Sequence, residues 1–544
     1  MSTRKQLAPM ISFIACLAAA GAAGQAARVG RIDWQAAGQR WWAHIEYLAS
    51  NDLQGRGTGT PGFQKAAAYV AAQFKNAGLE PAGLSGYFQP VDFIERQPDE
   101  SNSTAALVSG GKAAPLAIGE DVRLGLRGDL AAVDAPAVFV GYGFAVPELH
   151  YDDFAHLDLR GKIALYLSGG PKGIPSALMA HSQSAAERWK AMRQAGAIGM
   201  ASIQNPRTME IPWNRGGARP VPRPVFLLAD PALDEVAGLR LSMTVNPAHA
   251  DRFFQGSGHS FQELLADADA GRPLPHFPLA VSIRAHAAYR EGKAVSPNVV
   301  GLLPGADPEL KKEYVVISAH LDHLGVGTPV NGDPIYHGAM DDASGVASLI
   351  EVARGFRSDR LRPKRSILFL AVTAEEQGEL GSIYFARHPT VPPGQIVADL
   401  NMDMFLPLFP LKYLEVQGLA ESTLGDDIRA VCRANGVIVQ ADKVPSANRF
   451  IRSDQYSFVK TGVPALAFKF GWTFGSPEEK TFNDWIHTRY HSPDDNLSQP
   501  VDKAAAAQFD RILEQLALRV ADAAGRPAWE PDSFFRRFAA PPAK

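Results

Sequence analysis

The apolar positions near the start of the chain follow a helical spacing. Residues 33–48 and 62–77 carry apolar side chains three and four positions apart, which predicts two amphipathic helices. The glycines and the proline of residues 55–61 separate these segments. This Gly-rich stretch follows no predicted strand and lacks the lysine of a phosphate-binding loop, so we interpret it as a structural turn.

Between residues 135 and 290 the pattern changes to short apolar runs with Pro- and Gly-rich connections. Residues 137–143, 161–168 and 198–203 predict strands, and residues 184–195 predict a helix. This segment therefore has a strand and helix order of its own, which predicts a β-rich domain inserted into the chain.

After residue 296, buried-type strands alternate with helices. The predicted strands are residues 314–319, 366–372, 396–402 and 464–468, and the predicted helices are residues 343–356 and 502–521. Such alternation is typical of the α/β class. We therefore predict a three-layer sandwich around a mostly parallel central sheet.

The first residues have the features of a leader. Arg4 and Lys5 precede an apolar run over residues 7–17, and small residues follow. This order predicts a signal peptide over residues 1–26 and a periplasmic or secreted protein. Acylation of Cys16, as in a lipoprotein, is the alternative, although the residues before it match such sites poorly. No later stretch reaches the ~20 apolar residues of a membrane span.

The composition is that of a globular protein long enough for several domains: 544 residues, 46% hydrophobic and 20% charged. A net charge of −3 with no basic patch argues against a nucleic-acid partner. Removal of the leader leaves Cys432 as the one cysteine, so no internal disulfide is expected. We predict that Cys432 is a small buried residue.

Candidate chemistry follows the carboxyl ends of three predicted strands, where open α/β sheets bind ligands. The residues there are His320 and Asp322, Glu375 and Glu376, and Asp403. Asp341 and Asp342 precede a predicted helix, and helix capping explains one of these two acids but not the pair. Tyr490 and His491 lie in a polar loop further along.

Two histidines and three carboxylates suit a pair of metal ions that share one carboxylate, because imidazole and carboxylate are common zinc ligands. The sequence contains no H-E-x-x-H helix, no G-x-S-x-G elbow and no phosphate-binding loop. A metal site is therefore the favoured interpretation.

With these residues, the chain resembles the M28 family of metallopeptidases, which includes bacterial two-zinc aminopeptidases. The motifs that carry the resemblance are SAHLD (318–322), GAMDDASG (338–345), TAEEQG (373–378), NMD (401–403) and YHS (490–492). Residues 52–61 and 77–83 resemble the family's amino-terminal part. The inserted segment resembles a protease-associated (PA) domain, notably at residues 141–145 and 158–164.

The resemblance implies a role for each site residue. It implies that Asp341 bridges two zinc ions, that His320 and Asp403 complete one metal site, and that Glu376 and His491 complete the other. It also implies that Glu375 is the general base, that Asp322 orients His320, that Asp342 follows Asp341 through a cis peptide bond, and that Tyr490 donates to the oxyanion. Gln455 departs from the family pattern, since histidine often stands at its position.

The resemblance implies a di-zinc aminopeptidase that hydrolyses N-terminal residues from peptides, with a metal-activated water as nucleophile. The leader-like first residues add the expectation that it is secreted or periplasmic. The implied division is a signal peptide (1–26), an amino-terminal part of the peptidase domain (27–134), a PA-like insert (135–290), the catalytic domain (291–525) and a tail (526–544).

Three alternatives stay open. A carboxypeptidase or dipeptidase would use a basic residue such as Arg449 or Arg452 to hold the substrate carboxylate. A glutaminyl cyclase-like transferase would use one zinc ion. A receptor-like binding protein would have lost ligands or the base, whereas this sequence keeps residues for all of these positions.

Overall fold

The structure is a computed structural model. It describes residues 32–209, 223–444 and 449–539, together with Ile211, Trp213 and Ala447. The expected signal peptide and Cys16 lie outside the described residues. Within the described ranges, no helix combines the length and apolarity that crossing a bilayer requires.

A sheet of ten strands forms the larger of two main sheets. Its strands are β1 (Glu80–Pro81), β2 (Phe88–Pro98), β3 (Val225–Leu228), β4 (Tyr289–Leu303), β5 (Tyr314–His320), β6 (Ser366–Val372), β7 (Ile396–Asn401), β8 (Tyr413–Gln417), β9 (Ile438–Gln440) and β10 (Ala465–Gly471). The strand order is β3-β2-β4-β6-β5-β7-β10-β8-β9, and β1 pairs with β4.

The four strands at the centre, β6-β5-β7-β10, are parallel, whereas β3, β2 and β4 on one side and β8 on the other join antiparallel. The predicted α/β fold is confirmed, but the sheet is mixed and not mostly parallel. Parallel pairing joins the four central strands and the pair β8–β9, whereas the strands that flank the centre pair antiparallel.

Helices cover both faces of this sheet. They are α1 (Trp34–Leu48), α2 (Pro61–Asn76), α3 (Ser344–Ser358), α4 (Leu380–Arg387), α5 (Leu424–Ala434), α6 (Gln455–Val459), α7 (Pro477–Thr488) and α8 (Lys503–Asp522). In β5, Val315 and Ile317 belong to the core that α1, α2, α3 and α8 complete. Val316 points the other way and packs with Phe385 of α4 and Phe458 of α6. The middle of this strand, Val315 to Ile317, is apolar because it is buried on both faces.

The helix ends follow from local sequence. The carboxylate of Asp33 accepts a hydrogen bond from the backbone N–H of Ala36 and begins α1, and Thr60 caps α2 in the same way, with Pro61 in its first turn. Cys432 of α5 is fully buried, as predicted.

A second sheet of eight strands is built from the middle of the chain. Its strands are Thr104–Ser109, Lys112–Pro115, Val122–Leu124, Val133–Val140, Ile163–Leu167, Gly199–Ile203, Leu241–Val245 and His276–His286. Among the described residues, the helices that accompany it are Ser176–Gln183, Ala185–Gln194, Asp251–Phe254 and Phe261–Asp269. The predicted strands and helix of this segment are all present.

The second sheet begins at Thr104, earlier than the expected start of the insert at residue 135. The sequence pattern does not predict these early strands because they are short and only partly buried, and Lys112–Pro115 is exposed throughout. Conversely, β3 lies inside the insert by sequence but pairs with β2 of the larger sheet. The division into domains stays a prediction, and these pairings favour a boundary near residue 104.

Candidate metal centre

The carboxyl ends of three neighbouring strands bring the predicted site residues together. His320 is the last residue of β5, Glu375 and Glu376 follow the end of β6, and Asp403 follows the end of β7. Because β6, β5 and β7 are adjacent and parallel, their ends meet at one edge of the sheet. Asp341 approaches this edge from the start of α3.

A first group of ligand atoms surrounds one side of Asp341. Nε2 of His320 lies 3.1 Å from Oδ1 of Asp341 and 3.6 Å from Oδ1 of Asp403. His320 is 1% exposed and Asp341 is 2% exposed, so these groups are shielded from bulk water. The three side chains are close enough together to hold one metal ion.

A second group faces the other oxygen of Asp341. Nε2 of His491 lies 3.3 Å from Oδ2 of Asp341 and 3.2 Å from Oε2 of Glu376. Nδ1 of His323 lies 2.8 Å from Oε1 of Glu376 and 3.7 Å from Oδ2 of Asp341. Asp341 thus presents one oxygen to each group, which is the geometry of a bridging carboxylate.

His323 was not among the predicted site residues. It is 2% exposed and forms a possible metal-binding group with Asp341 and Glu376. One feature of the sequence points to His323: it is a second histidine, directly after Asp322 and just past the end of β5.

Buried polar atoms that lack a hydrogen-bond partner are concentrated at this site. Several side-chain nitrogen and oxygen atoms are buried without a hydrogen-bond partner among the described residues; those of the site are both ring nitrogens of His323, Oδ2 of Asp341, Oε1 of Glu376 and Oδ1 of Asp403. A buried polar atom without a partner costs about 1–3 kcal/mol, so such a cluster needs an explanation. Imidazole nitrogens and carboxylate oxygens in this arrangement fit zinc.

Burial and neighbouring charges shift the pKa values of the site residues. Burial alone would lower the pKa of His491, but the carboxylates of Glu376 and Asp341 outweigh it and raise the pKa to about 9. Burial opposes ionisation of Asp341, yet His323, His320 and His491 hold its pKa well below the usual range. Burial raises the pKa of Glu375 well above its ordinary value, against the opposing effect of His320.

Asp342 follows Asp341 through a cis peptide bond, as expected. Its carboxylate accepts hydrogen bonds from the backbone N–H groups of His320 (3.3 Å), Gly345 (2.9 Å) and Met404 (3.2 Å). One buried carboxylate therefore joins the end of β5, the start of α3 and the segment after β7.

Asp322 connects the site to two other segments. Its carboxylate accepts from the hydroxyl of Thr58 (2.9 Å) and from the backbone N–H of Glu375 (3.0 Å). Nδ1 of His320 lies 3.0 Å from the carbonyl oxygen of Asp322 but 4.0 Å from its carboxylate. The backbone of Asp322 thus contacts the His320 ring, and its side chain fixes the backbone of Glu375.

Two further residues that the sequence did not single out hold the Asp341 loop. Asp495 accepts hydrogen bonds from the backbone N–H groups of Met340 (2.9 Å) and Asp341 (3.0 Å). Arg56 is fully buried and donates to the carbonyl oxygens of Leu321 (3.0 Å) and Gly338 (2.9 Å), among others.

A cavity of about 270 Å³ opens onto these groups, and Glu375, Glu376, Tyr490 and His491 all contribute to its wall. The ring of Tyr490 packs on His491 with 4.0 Å between centroids. Gln455 borders a smaller neighbouring pocket of about 50 Å³, where its Oε1 accepts from Nδ2 of Asn401 at 2.5 Å.

Several known proteins are similar in sequence to part of this chain. The Aminopeptidase NAALADL1 of Mus musculus is 29% identical over 182 residues, 32% of this chain and 21% of the relative. The Aminopeptidase YwaD of Bacillus subtilis is 24% identical over 229 residues, 40% of this chain and 46% of the relative. The matched region thus spans less than half the length of either curated relative.

A solved aminopeptidase from Aneurinibacillus sp. strain AM-1 resembles the whole fold. Its TM-score is 0.53 at 20% identity, with 91% of this chain and 97% of that chain covered. Residues 298–517, which contain His320, Asp341, Glu376, Asp403 and His491, match the model of Peptidase family M28. This segment of the chain is similar to peptidase family M28.

Proposed function

We propose that this protein is a secreted or periplasmic zinc aminopeptidase that uses two metal ions to remove N-terminal residues from peptides. The observation that carries the proposal is the position of Asp341, whose two carboxylate oxygens face two separate sets of candidate ligand atoms. The similar proteins from mouse and Bacillus subtilis are both named aminopeptidases, which supports the proposed reaction. The leader-like residues 1–26 support the location.

In this proposal, the first ion is held by His320, Asp341 and Asp403, and the second by Asp341, Glu376 and His491. The distances of His323 from Asp341 and Glu376 support adding it to the second set. When bound, two zinc ions lower the pKa of a water molecule and polarise a peptide carbonyl.

The chain's own groups supply proton transfer and orientation. Glu375 stands in the wall of the cavity, and its backbone is held by Asp322, so its carboxylate is positioned to accept a proton and return it to the departing amine. Glu376, its neighbour, faces His491 and His323 instead. Tyr490 lines the same cavity and carries a hydroxyl that can donate to the developing oxyanion.

The test compares peptides with free and acetylated N-termini. We expect hydrolysis of the free peptides alone, and a decrease in kcat of about 10²–10⁴-fold in Glu375→Gln with its zinc content unchanged. Glu415→Gln is the matched control, because Glu415 is a buried carboxylate that does not line the cavity. Equal cleavage of acetylated peptides would refute the aminopeptidase assignment. A metal-free, inactive wild type would favour the receptor-like alternative.

A further inference from the structure

The segment 526–539, which we call the strap, lies on the catalytic domain. The backbone N–H of Thr423 donates to the carbonyl oxygen of Ala528 at 2.9 Å, and the N–H of Ala528 donates to the hydroxyl of Thr423 at 3.1 Å. The indole N–H of Trp529 donates to the carbonyl oxygen of Gly462 at 3.0 Å. These bonds fix the first half of the strap on the catalytic domain.

Two neighbouring phenylalanines of the strap contact different parts of the protein. Phe535 is fully buried and packs with Ile451 and Tyr456 of the catalytic domain. Phe534 packs against the apolar core of the insert. Both belong to the short helix Phe534–Phe538, and their ring centroids are 5.3 Å apart. Adjacent side chains of the strap therefore join the insert to the catalytic domain.

The insert meets the strap through one of its helices. His181 lies in the helix Ser176–Gln183, and the centroid of its ring is 5.0 Å from that of Phe534 and 5.6 Å from that of Phe538. On another side, Nδ1 of His181 lies 2.6 Å from the hydroxyl oxygen of Tyr456 in α6. The helix is thus held by the strap and by the catalytic domain together.

One apolar cluster contains side chains from all three parts. It includes Ala180 of the insert, Val459 of α6 and Phe535 of the strap. The chain connects the insert to the larger sheet through residues 98–104 and 286–289, which are short. Because domains move relative to each other unless their interface is extensive and apolar, this cluster should restrict motion of the insert.

The parts held by the strap are walls of a cavity beside the metal centre. Its volume is about 420 Å³, and the insert lines it with residues 183–188, which directly follow the held helix. The catalytic domain lines it with Ile451 and Tyr456, which pack with Phe535. Arg452 lines both this cavity and the one over the proposed metal ligands. The space beside the metal centre therefore depends on where the strap holds the insert.

We propose that the strap, through Phe534 and Phe535, is a positioning element that keeps the insert and the catalytic domain at the separation that longer peptide substrates need. This inference rests on the proposed function and assigns a role to a segment outside all of the metal-site motifs. The strap contacts described above do not involve a proposed metal ligand, so zinc binding should not depend on them.

Two substrates of different length test the inference: leucine p-nitroanilide and the pentapeptide Leu-Ala-Ala-Ala-Ala, which extends beyond the metal centre. Phe535→Ala should lower the ratio of kcat/KM for the pentapeptide to that for the nitroanilide by about 10-fold or more, because a displacement of about 1 Å can cost about 10²-fold. Its zinc content should stay unchanged. Partial unfolding would reduce both rates equally and leave this ratio unchanged, so the ratio reports positioning.

Further variants separate positioning from stability. Phe535→Met should keep a ratio near that of the wild type, because methionine is apolar and adapts to irregular spaces. Phe356→Ala is the matched control, since Phe356 is a buried residue of α3 that packs on Phe369 in the core of the catalytic domain. It should lose stability without a change in ratio. If Phe535→Ala does not fold, the half-buried Phe534 provides the same test as Phe534→Ala.

Hydrogen exchange tests the strap without any need for activity. In Phe535→Ala, faster amide exchange should extend into residues 176–188 of the insert as well as the strap and α6. Faster exchange confined to the strap and α6, or a ratio of kcat/KM unchanged in both alanine variants of the strap, would overturn the inference. If the wild type cleaves neither substrate, the proposed function has failed, and the exchange of residues 176–188 alone decides whether the strap positions the insert.

Discussion

Replacement of Arg56 by methionine should destabilise the catalytic domain and weaken its metal site. The Arg56 side chain is fully buried and makes four hydrogen bonds to carbonyl oxygens, those of Leu48 (2.5 Å), Leu321 (3.0 Å), His337 (2.8 Å) and Gly338 (2.9 Å). These bonds join the end of α1, the residue after His320 and the loop before Asp341.

The magnitude follows from hydrogen bonding and charge together. Burial lowers the pKa of Arg56 to about 10, but the group stays a cation opposite four buried carboxyl groups, Asp495, Asp341, Asp322 and Asp342. Removal of one partner from a buried charge cluster costs about 3–5 kcal/mol. Single hydrogen bonds from a charged donor contribute about 1.5–3 kcal/mol and are not additive here, so we expect a loss of about 3–5 kcal/mol.

The assay is urea unfolding in the presence of a chelator, followed by circular dichroism, together with zinc titration of the folded variant. Arg40→Met is the control, because Arg40 is an exposed arginine of α1 and its partner Glu351, at 3.3 Å, keeps a second ion pair with Arg354 at 3.0 Å. If Arg56→Met unfolds within 1 kcal/mol of the wild type, Arg56 does not hold the site as we argue.

Two further outcomes test other parts of the account. His323→Ala should weaken zinc binding at one site by about 10–100-fold, measured by competition with a chelator, and an unchanged affinity for both ions would exclude His323 from the metal site. Glu514→Gln should gain about 1–2 kcal/mol of unfolding free energy at pH 8 and nothing near pH 4. Burial raises the pKa of Glu514 from 4.5 to about 7, against the opposing effect of Arg511. The unfolded chain therefore releases this proton first, and the free energy of unfolding falls as the pH rises from 4.5 to about 7. Parallel pH profiles of the two proteins would contradict this.

The larger sheet could be predicted because its central strands are buried on both faces. Continuous apolar runs such as residues 314–319 and 366–372 have few other interpretations when helices alternate with them. The antiparallel strands around them could not be assigned, because β2 and β4 are partly exposed and their partners are distant in the sequence. The strands of residues 104–124 were missed for the same reason.

The proposed ligand set could be predicted from the sequence because its residues follow strand ends and lie in motifs. The residues that position these side chains could not be predicted from the sequence. Asp495 and Arg56 act through backbone groups of distant segments, and a hydrogen bond to a carbonyl oxygen leaves no pattern in the partner's sequence. His323 was missed because one histidine at the strand end already satisfied the expected set.

Zinc content measured by mass spectrometry on the purified wild type and on Asp341→Asn tests the central claim most directly. A carboxylate that bridges two ions predicts two zinc ions per chain in the wild type and loss of both in Asp341→Asn, whereas Asp403→Asn should lose only one. One ion or none in the wild type, or two ions kept in Asp341→Asn, would contradict a two-metal site built on Asp341.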